Sequence, residues 1–386
     1  MSISKNTYII IGAGASGLHL ALQMAKSEFF SRHQVIILEK EAKSQADKTW
    51  SFWEKGQGNW DHIIKKQWAV GDIFAQGKRV EMILNPYRYK TISSLDFYNE
   101  AKKVISSCPN FTWKQEEVME VKSTLDEVKV TTNQATYKAN YVFDSRLPDL
   151  NRITTSDSNL IYQHFLGWEV KTEVPIFNPD CFTMMDYRIK DGETTSFTYV
   201  LPFSPTQALV EFTYFSPSIV SKEVYEKHLK KYMSKILQVE DFKLVSTEKG
   251  IIPMTTFPFE KDHKERHQKI GTAGGWVKAS TGYSFKNAEK KSKEIVELIT
   301  QGKSPQQLHK AIKYRHYDDI FLNVLHHRNN LGEKVFYQLY GKNNIQTLFR
   351  FLDDESSVTD DLKIITSVTS MAFIQAFGSH LKNLIS

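Results

Sequence analysis

The 386 residues predict an α/β fold in three parts: a parallel-sheet domain built on a glycine-rich turn, an interleaved antiparallel β-rich domain, and a helical C-terminal region. Three patterns carry that prediction. A strand, a glycine turn, a helix and a second strand follow one another between Tyr8 and Glu39. From residue 160 to about 255, apolar and polar residues alternate with the period of a half-buried strand. From Pro305 onward, apolar residues return at helical spacing, as at Phe321, Val324 and Leu325.

The N-terminal element is the most specific. Tyr8 to Ile11 is a short, continuous apolar run. Gly12, Gly14 and Gly17 then stand in G-x-G-x-x-G spacing, and Leu18, Ala21, Leu22 and Ala25 line one helix face. A second apolar run, Val35 to Leu38, ends at Glu39. This is the Rossmann-type context the glycine motif requires. Gly12 permits the tight turn, Gly14 lets a pyrophosphate approach the backbone, and Gly17 lets helix and sheet pack closely. The helix N-terminus offers N–H groups and partial positive charge to phosphates. Glu39, about 20 residues on, is placed to accept hydrogen bonds from a ribose. A secretory signal is the competing reading of the same stretch, because Lys5 precedes it. The motif's position near the N-terminus, with the acid ending the second strand, favours FAD. NAD as sole cofactor stays open on these residues.

The segment Asp47 to Trp53 (DKTWSFW) places three bulky rings in seven residues. Ser94 is a candidate cap for a helix running to about Ser107, with Phe97, Ala101, Val104 and Ile105 on one face. Residues 111 to 143 read as strands, Asp144-Ser145-Arg146 ends the last of them, and the chain is expected to turn at Pro148. A helix from about Lys222 to Leu237 interrupts the alternating region. A second glycine-rich segment, Gly271 to Phe285, precedes a charged helix, Asn287 to Thr300, whose KKSK run reads as a solvated face. The two glycine-rich segments bracket the β-rich region, which argues for interleaving. The expected boundaries are 1–60, 90–158 and 265–302 for the cofactor domain, 61–89 and 159–264 for the substrate domain, and 303–386 for the helical region.

Composition bounds the function. The net charge of +6 is mild, so attraction to an acidic membrane surface is permitted and no nucleic-acid partner is expected. Cys108 and Cys181 are the only cysteines, so neither a disulfide framework nor a cysteine-rich zinc site is expected. No H-x-x-x-H or H-E-x-x-H spacing points to a metal. The longest apolar candidate, Ile364 to Phe377, is too short to span a bilayer and carries Ser, Thr and Gln. Phe, Tyr and Trp make up 12% of the chain, a large aromatic load to place.

Taken together, several motifs resemble the lycopene cyclases of the β-cyclase type. They are GAGASGL at Gly12 to Leu18, DKTWSFW, QHFLGWEV at Gln163 to Val170 and FTMMDYR at Phe182 to Arg188. YVLPFSPTQALVEFTYFS at Tyr199 to Ser216, IPM at Ile252 to Met254 and GTAGGWVKASTGYSF at Gly271 to Phe285 complete the set. The order is right from about residue 5 to 300. The resemblance implies a fold similar to FAD-containing hydroxylases. It implies redox-neutral cyclisation of the linear ψ end groups of lycopene and related carotenoids to β rings, with reduced FAD and NAD(P)H as electron source. It also implies a cytoplasmic protein attached peripherally to a membrane, since the substrate resides in lipid. Two departures stand out. Thr272 replaces the Asp that usually follows the first glycine of the second segment, and Ala279-Ser280 replaces Pro-Ala or Pro-Ser before Thr-Gly-Tyr.

Cyclisation needs a proton delivered to an alkene carbon, a carbocation kept from water, and a proton removed. The resemblance places the catalytic acid/base at Glu211. Leu209, Glu211 and Thr213 share one face of a strand, and Val210, Phe212 and Tyr214 share the other. Apolar surroundings would keep the Glu211 carboxyl protonated, as a donor requires. The plain alternative is an acid on the polar face of an ordinary strand. Asp186 is a second carboxylate candidate, able to pair with Arg188 or position Glu211. Trp50 and Trp53 can present π faces to a cation, or simply pack. Phe212 and Tyr283 are expected to line the substrate, and Asp47, Gly271, Thr281 and Gly282 to contact the cofactor. Competing functions are an FAD-dependent monooxygenase, a prenyl-chain reductase or a non-catalytic flavin-binding protein. The W-x-W-x-I-P signature of flavin halogenases is absent.

Overall fold

The computed structural model describes residues 6–147, 153, 158–309, 312–368 and 370–385. The expected turn at Pro148 lies outside them. A five-stranded parallel sheet runs in the order His267–Lys269, Tyr141–Asp144, Thr7–Ile11, Gln34–Glu39, Phe111–Gln115. Both of its faces are covered, which is why its central strands read as unbroken apolar runs. Tyr8, Ile10, Val35 and Ile37 face the helices Ala15–Ala25, Ser94–Ser106 and Phe285–Thr300. Ile9, Ile11, Ile36 and Leu38 face an antiparallel ribbon containing Val118, Val128 and Val130.

The alternating region forms a seven-stranded sheet. Its order is Lys243–Thr255, Leu160–Lys171, Gln207–Ser216, Ser196–Ser204, Cys181–Asp186, Val70–Ala75, Lys78–Ile83. It is mixed rather than wholly antiparallel, because Cys181–Asp186 runs parallel to Val70–Ala75. That junction joins two chain segments distant in sequence, so no hairpin dictates their direction. One face packs under the helix Lys222–Lys235 through Val210, Phe212, Tyr214 and Leu229. The other carries Phe197, Tyr199, Leu209 and Phe215 towards the C-terminal helices. Those helices are Ile312–His327, Gly332–Lys342, Ile345–Leu352, Val358–Ser367 and Met371–Ile385. A small sheet of Thr49–Lys55, Tyr87–Ser93 and Ile64–Trp68 stands beside both large sheets. Among the described residues, no helix is long and apolar enough to cross a membrane.

Two local expectations change. The cap of the helix Ser94–Ser106 is Ser93, whose Oγ accepts from the Leu95 N–H at 3.3 Å. Ser94 instead ties down the DKTWSFW segment. Its Oγ donates to Asp47 Oδ1 at 2.7 Å and accepts from the Asp47 and Lys48 N–H groups. In the KKSK run, Lys290 and Lys293 face solvent, but Ser292 is buried, because a helix turns its third residue towards the core.

Candidate active site

The two glycine-rich segments meet at the N-terminus of the helix Ala15–Ala25. Gly12 has φ +92°, and a Cβ there would lie 2.1 Å from Ser145 Oγ. A Cβ on Gly17 would lie 2.0 Å from the Gly12 carbonyl oxygen, so helix and turn touch only because Gly17 lacks one. Gly14 occupies the N-cap in extended geometry with no side-chain cap, and the space where its Cβ would point is open. This leaves first-turn N–H groups free to face an anion. Glu39 closes the second strand. Its carboxylate accepts from the Ala13 N–H at 2.6 Å and the Glu41 N–H at 3.0 Å. Gly271, at φ +64°, brings the second segment against Ser16, whose Oγ lies 2.8 Å from where a Cβ would be. The cradle fits a dinucleotide: a bare helix N-terminus, an acid at the second strand's end, and open space at Gly14.

Next to this cradle lies a cavity of about 300 Å³. Thr272, Val277, Thr281, Gly282 and Tyr283 from the second glycine segment form part of its wall. Gln163, Leu209, Glu211 and Glu248 from the seven-stranded sheet form another part, and Asp47, Trp50 and Tyr89 complete it. Thr272, which stands where an Asp was expected, therefore lines the cavity. Gly282 has φ +76°, and a Cβ there would lie 1.8 Å from Gln163 Oε1. Only glycine lets this turn close on the sheet. Asp47 accepts from Ser94 Oγ and from the Tyr98 hydroxyl at 2.9 Å. Its partial burial opposes charge, but those hydrogen bonds, with Lys43 and Lys48 nearby, outweigh it and hold the carboxyl below the usual range.

Two carboxyl groups meet in the wall of the cavity. Glu211 is on the strand Gln207–Ser216, and Glu248 is on Lys243–Thr255. The strand between them is Leu160–Lys171, whose Gly167 is in register with both. A Cβ at Gly167 would meet Glu248 Cγ at 3.1 Å and Glu211 Cβ at 3.5 Å, so the bare glycine is what lets the two side chains meet. The two carboxyls interact directly with one another, and Thr213 Oγ1 donates to Glu211 Oε1 at 2.9 Å. Burial, then the neighbouring Glu248, pushes Glu211 well above the carboxylate range. Burial also raises Glu248, to about 7, against the hydrogen bond that Thr49 Oγ1 donates at 2.7 Å. The pair thus holds a proton near neutral pH.

The other expected residues divide by which side of a strand they occupy. Trp50 lines the cavity and stacks on Phe285, centroids 5.4 Å apart. Trp53 is three positions along the same strand, so it points to the opposite side. It stacks on Phe349 at 4.5 Å and donates Nε1–H to Asp353 at 2.8 Å. Phe212 neighbours Glu211 in sequence and likewise turns away from it. It stacks on His228 beneath the helix Lys222–Lys235. Asp186 lies outside the cavity too: Arg188 grips it through Nε and the guanidinium, and the Tyr232 hydroxyl donates to it at 2.7 Å. Its lone pairs are occupied by a structural clasp. Tyr283 lines the cavity, and its hydroxyl shares a 2.8 Å hydrogen bond with that of Tyr89. Glu248 was not singled out by the sequence. The one local signal was its place just before the IPM motif in an alternating strand.

Comparisons with known proteins bear on the family and on the fold. A lycopene beta-cyclase of Paracoccus sp. is 25% identical over 386 residues, covering 93% of this chain and 92% of its own length. Among solved structures, a flavoprotein/dehydrogenase from Cytophaga hutchinsonii matches with TM-score 0.62 at 10% identity, over 98% of this chain and all of its own. A geranylgeranyl bacteriochlorophyll reductase-like protein from Thermoplasma acidophilum matches with TM-score 0.58 at 13% identity, over 99% of both chains. HpxO of Klebsiella pneumoniae, solved with FAD, matches with TM-score 0.56 at 15% identity, over 94% of this chain and 99% of its own. These likenesses show the flavoprotein fold. The family model described as lycopene cyclase protein matches residues 8–377, and the chain belongs to that family.

Proposed function

We propose that this protein is a lycopene β-cyclase that closes the ψ end groups of lycopene into β rings, giving γ-carotene and β-carotene, with reduced FAD bound and NAD(P)H as its electron source. The observation that carries the reading is the Glu211–Glu248 pair across Gly167, inside an aromatic-lined cavity beside a dinucleotide cradle.

Gly12, Gly14 and Gly17 with the helix N-terminus would hold the pyrophosphate, and Glu39 the ribose. Gly271, Thr272, Thr281 and Gly282 would border the flavin, with Asp47 at the cavity side. Reduced FAD, when bound, would supply an electron-rich ring able to stabilise positive charge. The chain's own residues do the rest. Glu211 gives its proton to the less substituted carbon of the terminal double bond of the ψ end, whose π pair forms the new C–H bond and leaves a tertiary cation on the dimethyl carbon. The resulting cation accepts the π pair of the next double bond, and the ring closes. The carboxyl pair, one proton short, then takes a proton from the ring carbon beside the cation, and the alkene is restored. One proton enters and one leaves, so the product is an isomer of the substrate. Trp50, Tyr89 and Tyr283 border the cavity, and a π face turned to the cation would contribute about 2 kcal/mol when desolvated.

Expression in a lycopene-accumulating host, followed by pigment analysis, tests the reading. Cyclic carotenes are expected, with neither NAD(P)H nor oxygen consumed in step with product. Glu211→Gln keeps the side-chain shape and a hydrogen bond to Glu248, so it should fold and hold flavin while cyclisation falls by about 10²-fold or more. Retained activity in that variant would overturn the assignment of Glu211. Lycopene left unchanged by the folded, flavin-loaded wild type would overturn the function.

A further inference from the structure

A second cavity, of about 360 Å³, lies between the seven-stranded sheet and the C-terminal helices. Its inner wall includes Met184, Met185 and Phe215, and its outer wall includes Leu339, Ile364 and Phe373. Asp318 is the acid in that wall, and Lys278 Nζ neutralises it at 2.9 Å. The surroundings are otherwise hydrocarbon, aromatic or hydroxyl. Tyr199, Thr281 and Tyr283 line this cavity and also the one that holds Glu211 and Glu248. Those three residues mark where the two spaces adjoin.

The outer end has a different character. Ile365, Ile374 and Phe377 line the cavity yet are 40%, 56% and 51% exposed. Around them Val358, Leu362, Met371 and Leu381 are also exposed. On Val358–Ser367 the exposed apolar positions are 358, 362 and 365. On Met371–Ile385, among the described side chains, they are 371, 374, 377 and 381. Both sets follow the i, i+3, i+4 spacing of a single helix face. Two successive helices therefore turn apolar faces to solvent at the mouth of an apolar cavity. The second helix contains no Asp or Glu. An outward apolar face on a surface helix is the build of an element that lies in a lipid interface. A protein partner could cover such a face, but it would not account for a hydrocarbon-lined space opening behind it.

We infer that the second cavity is a channel for the hydrocarbon arm of a long apolar substrate, and that the faces of Val358–Ser367 and Met371–Ile385 dock on a lipid surface from which that substrate enters. The inference rests on the cyclase reading for the substrate's identity. The channel explains how a molecule much longer than the catalytic cavity is handled: the end group sits by Glu211 while the remaining chain stays out of water.

The test uses the full-length, FAD-loaded protein. Flotation with phosphatidylcholine vesicles, with and without phosphatidylglycerol, should show binding. The double variant Leu362→Glu/Met371→Glu, at exposed positions outside the channel wall, should weaken it by about tenfold or more. With lycopene delivered in those vesicles, turnover of the double variant should fall in parallel. With lycopene in detergent micelles, it should match the wild type. Ile374→Trp narrows the mouth at an exposed position. In a Glu211→Gln background it should weaken polyene binding by about tenfold, read by quenching of tryptophan fluorescence, with flavin content unchanged. Undiminished vesicle binding by the double variant, or undiminished polyene binding with Ile374→Trp, would overturn the inference. Loss of a dimer in place of vesicle binding would assign the face to a second copy and overturn it equally. If the wild type binds vesicles and polyene but cyclises nothing from either carrier, the cyclase reading fails while the channel stands.

Discussion

Glu211 and Glu248 come together because Gly167, on the strand between them, has no side chain. Glu211 is buried and Glu248 half-buried, so each loses hydration, and each would repel the other if both were charged; their proton is therefore retained above the ordinary carboxylate range. Between about pH 5 and about pH 7 the folded chain therefore holds protons that the unfolded chain has released, and stability falls as pH rises through that window. Glu248→Gln should flatten the decline of Tm across that range. It also removes the neighbouring charge that raises Glu211, so the alkaline limb of the turnover profile should move to lower pH. A pH profile identical to the wild type would remove Glu248 from the proton site. Gly167→Ala tests the geometry directly. The new methyl would meet Glu248 Cγ and Leu209 Cδ1 at 3.1 Å each. The expected cost is about 1–2 kcal/mol in a thermal melt. A turnover loss of about 10²-fold should accompany it, since the carboxyls are pushed off their line.

At the level of single elements, strand alternation decides which side chains reach the chemistry. Trp50 and Trp53 are an odd number of residues apart on Thr49–Lys55, so their side chains leave the strand on opposite sides. Trp50 faces Glu211's cavity, and Trp53 is locked between Phe349 and Asp353. Trp50→Ala should lower turnover by about 30-fold, the equivalent of one desolvated cation–π contact, with a modest change in Tm. Trp53→Ala should act mainly on folding, with a stability loss of about 3–5 kcal/mol in chemical denaturation. The reverse pattern, stability lost with Trp50 and turnover with Trp53, would refute the division. The same alternation separates Phe212 from Glu211 on Gln207–Ser216. That opposition was legible in the sequence, where the two residues are adjacent. On the small sheet, Ser93 caps the following helix while Ser94 fixes Asp47. Two neighbouring serines of like chemistry cannot be assigned those roles until the loop they face is in place.

For the molecule as a whole, the local patterns were sufficient for its parts. The glycine spacing at Gly12 to Gly17, the apolar strands on either side and the alternation beyond residue 160 are consequences of nearest-neighbour physics: φ above zero, a buried sheet, a half-buried strand. Glu211 was also within reach, since a carboxyl between apolar strand neighbours is unusual and its motif resembles a known family. Other features depended on contacts between residues far apart in the chain. Glu248 meets Glu211 only because strand register sets the two side by side, and Asp186 takes the expected pairing with Arg188, joined by Tyr232, at a distance from that cavity. The mixed direction of the seven-stranded sheet, the meeting of Gly271 with Ser16, and the second cavity beneath the C-terminal helices arise in the same way. The sequence by itself determined which segments would be strands, helices and glycine turns, because those depend on backbone freedom and on the period of apolar residues. Only the tertiary structure decided which carboxyl faces which, because the shared proton depends on burial and through-space charge, and neither is a property of any segment alone.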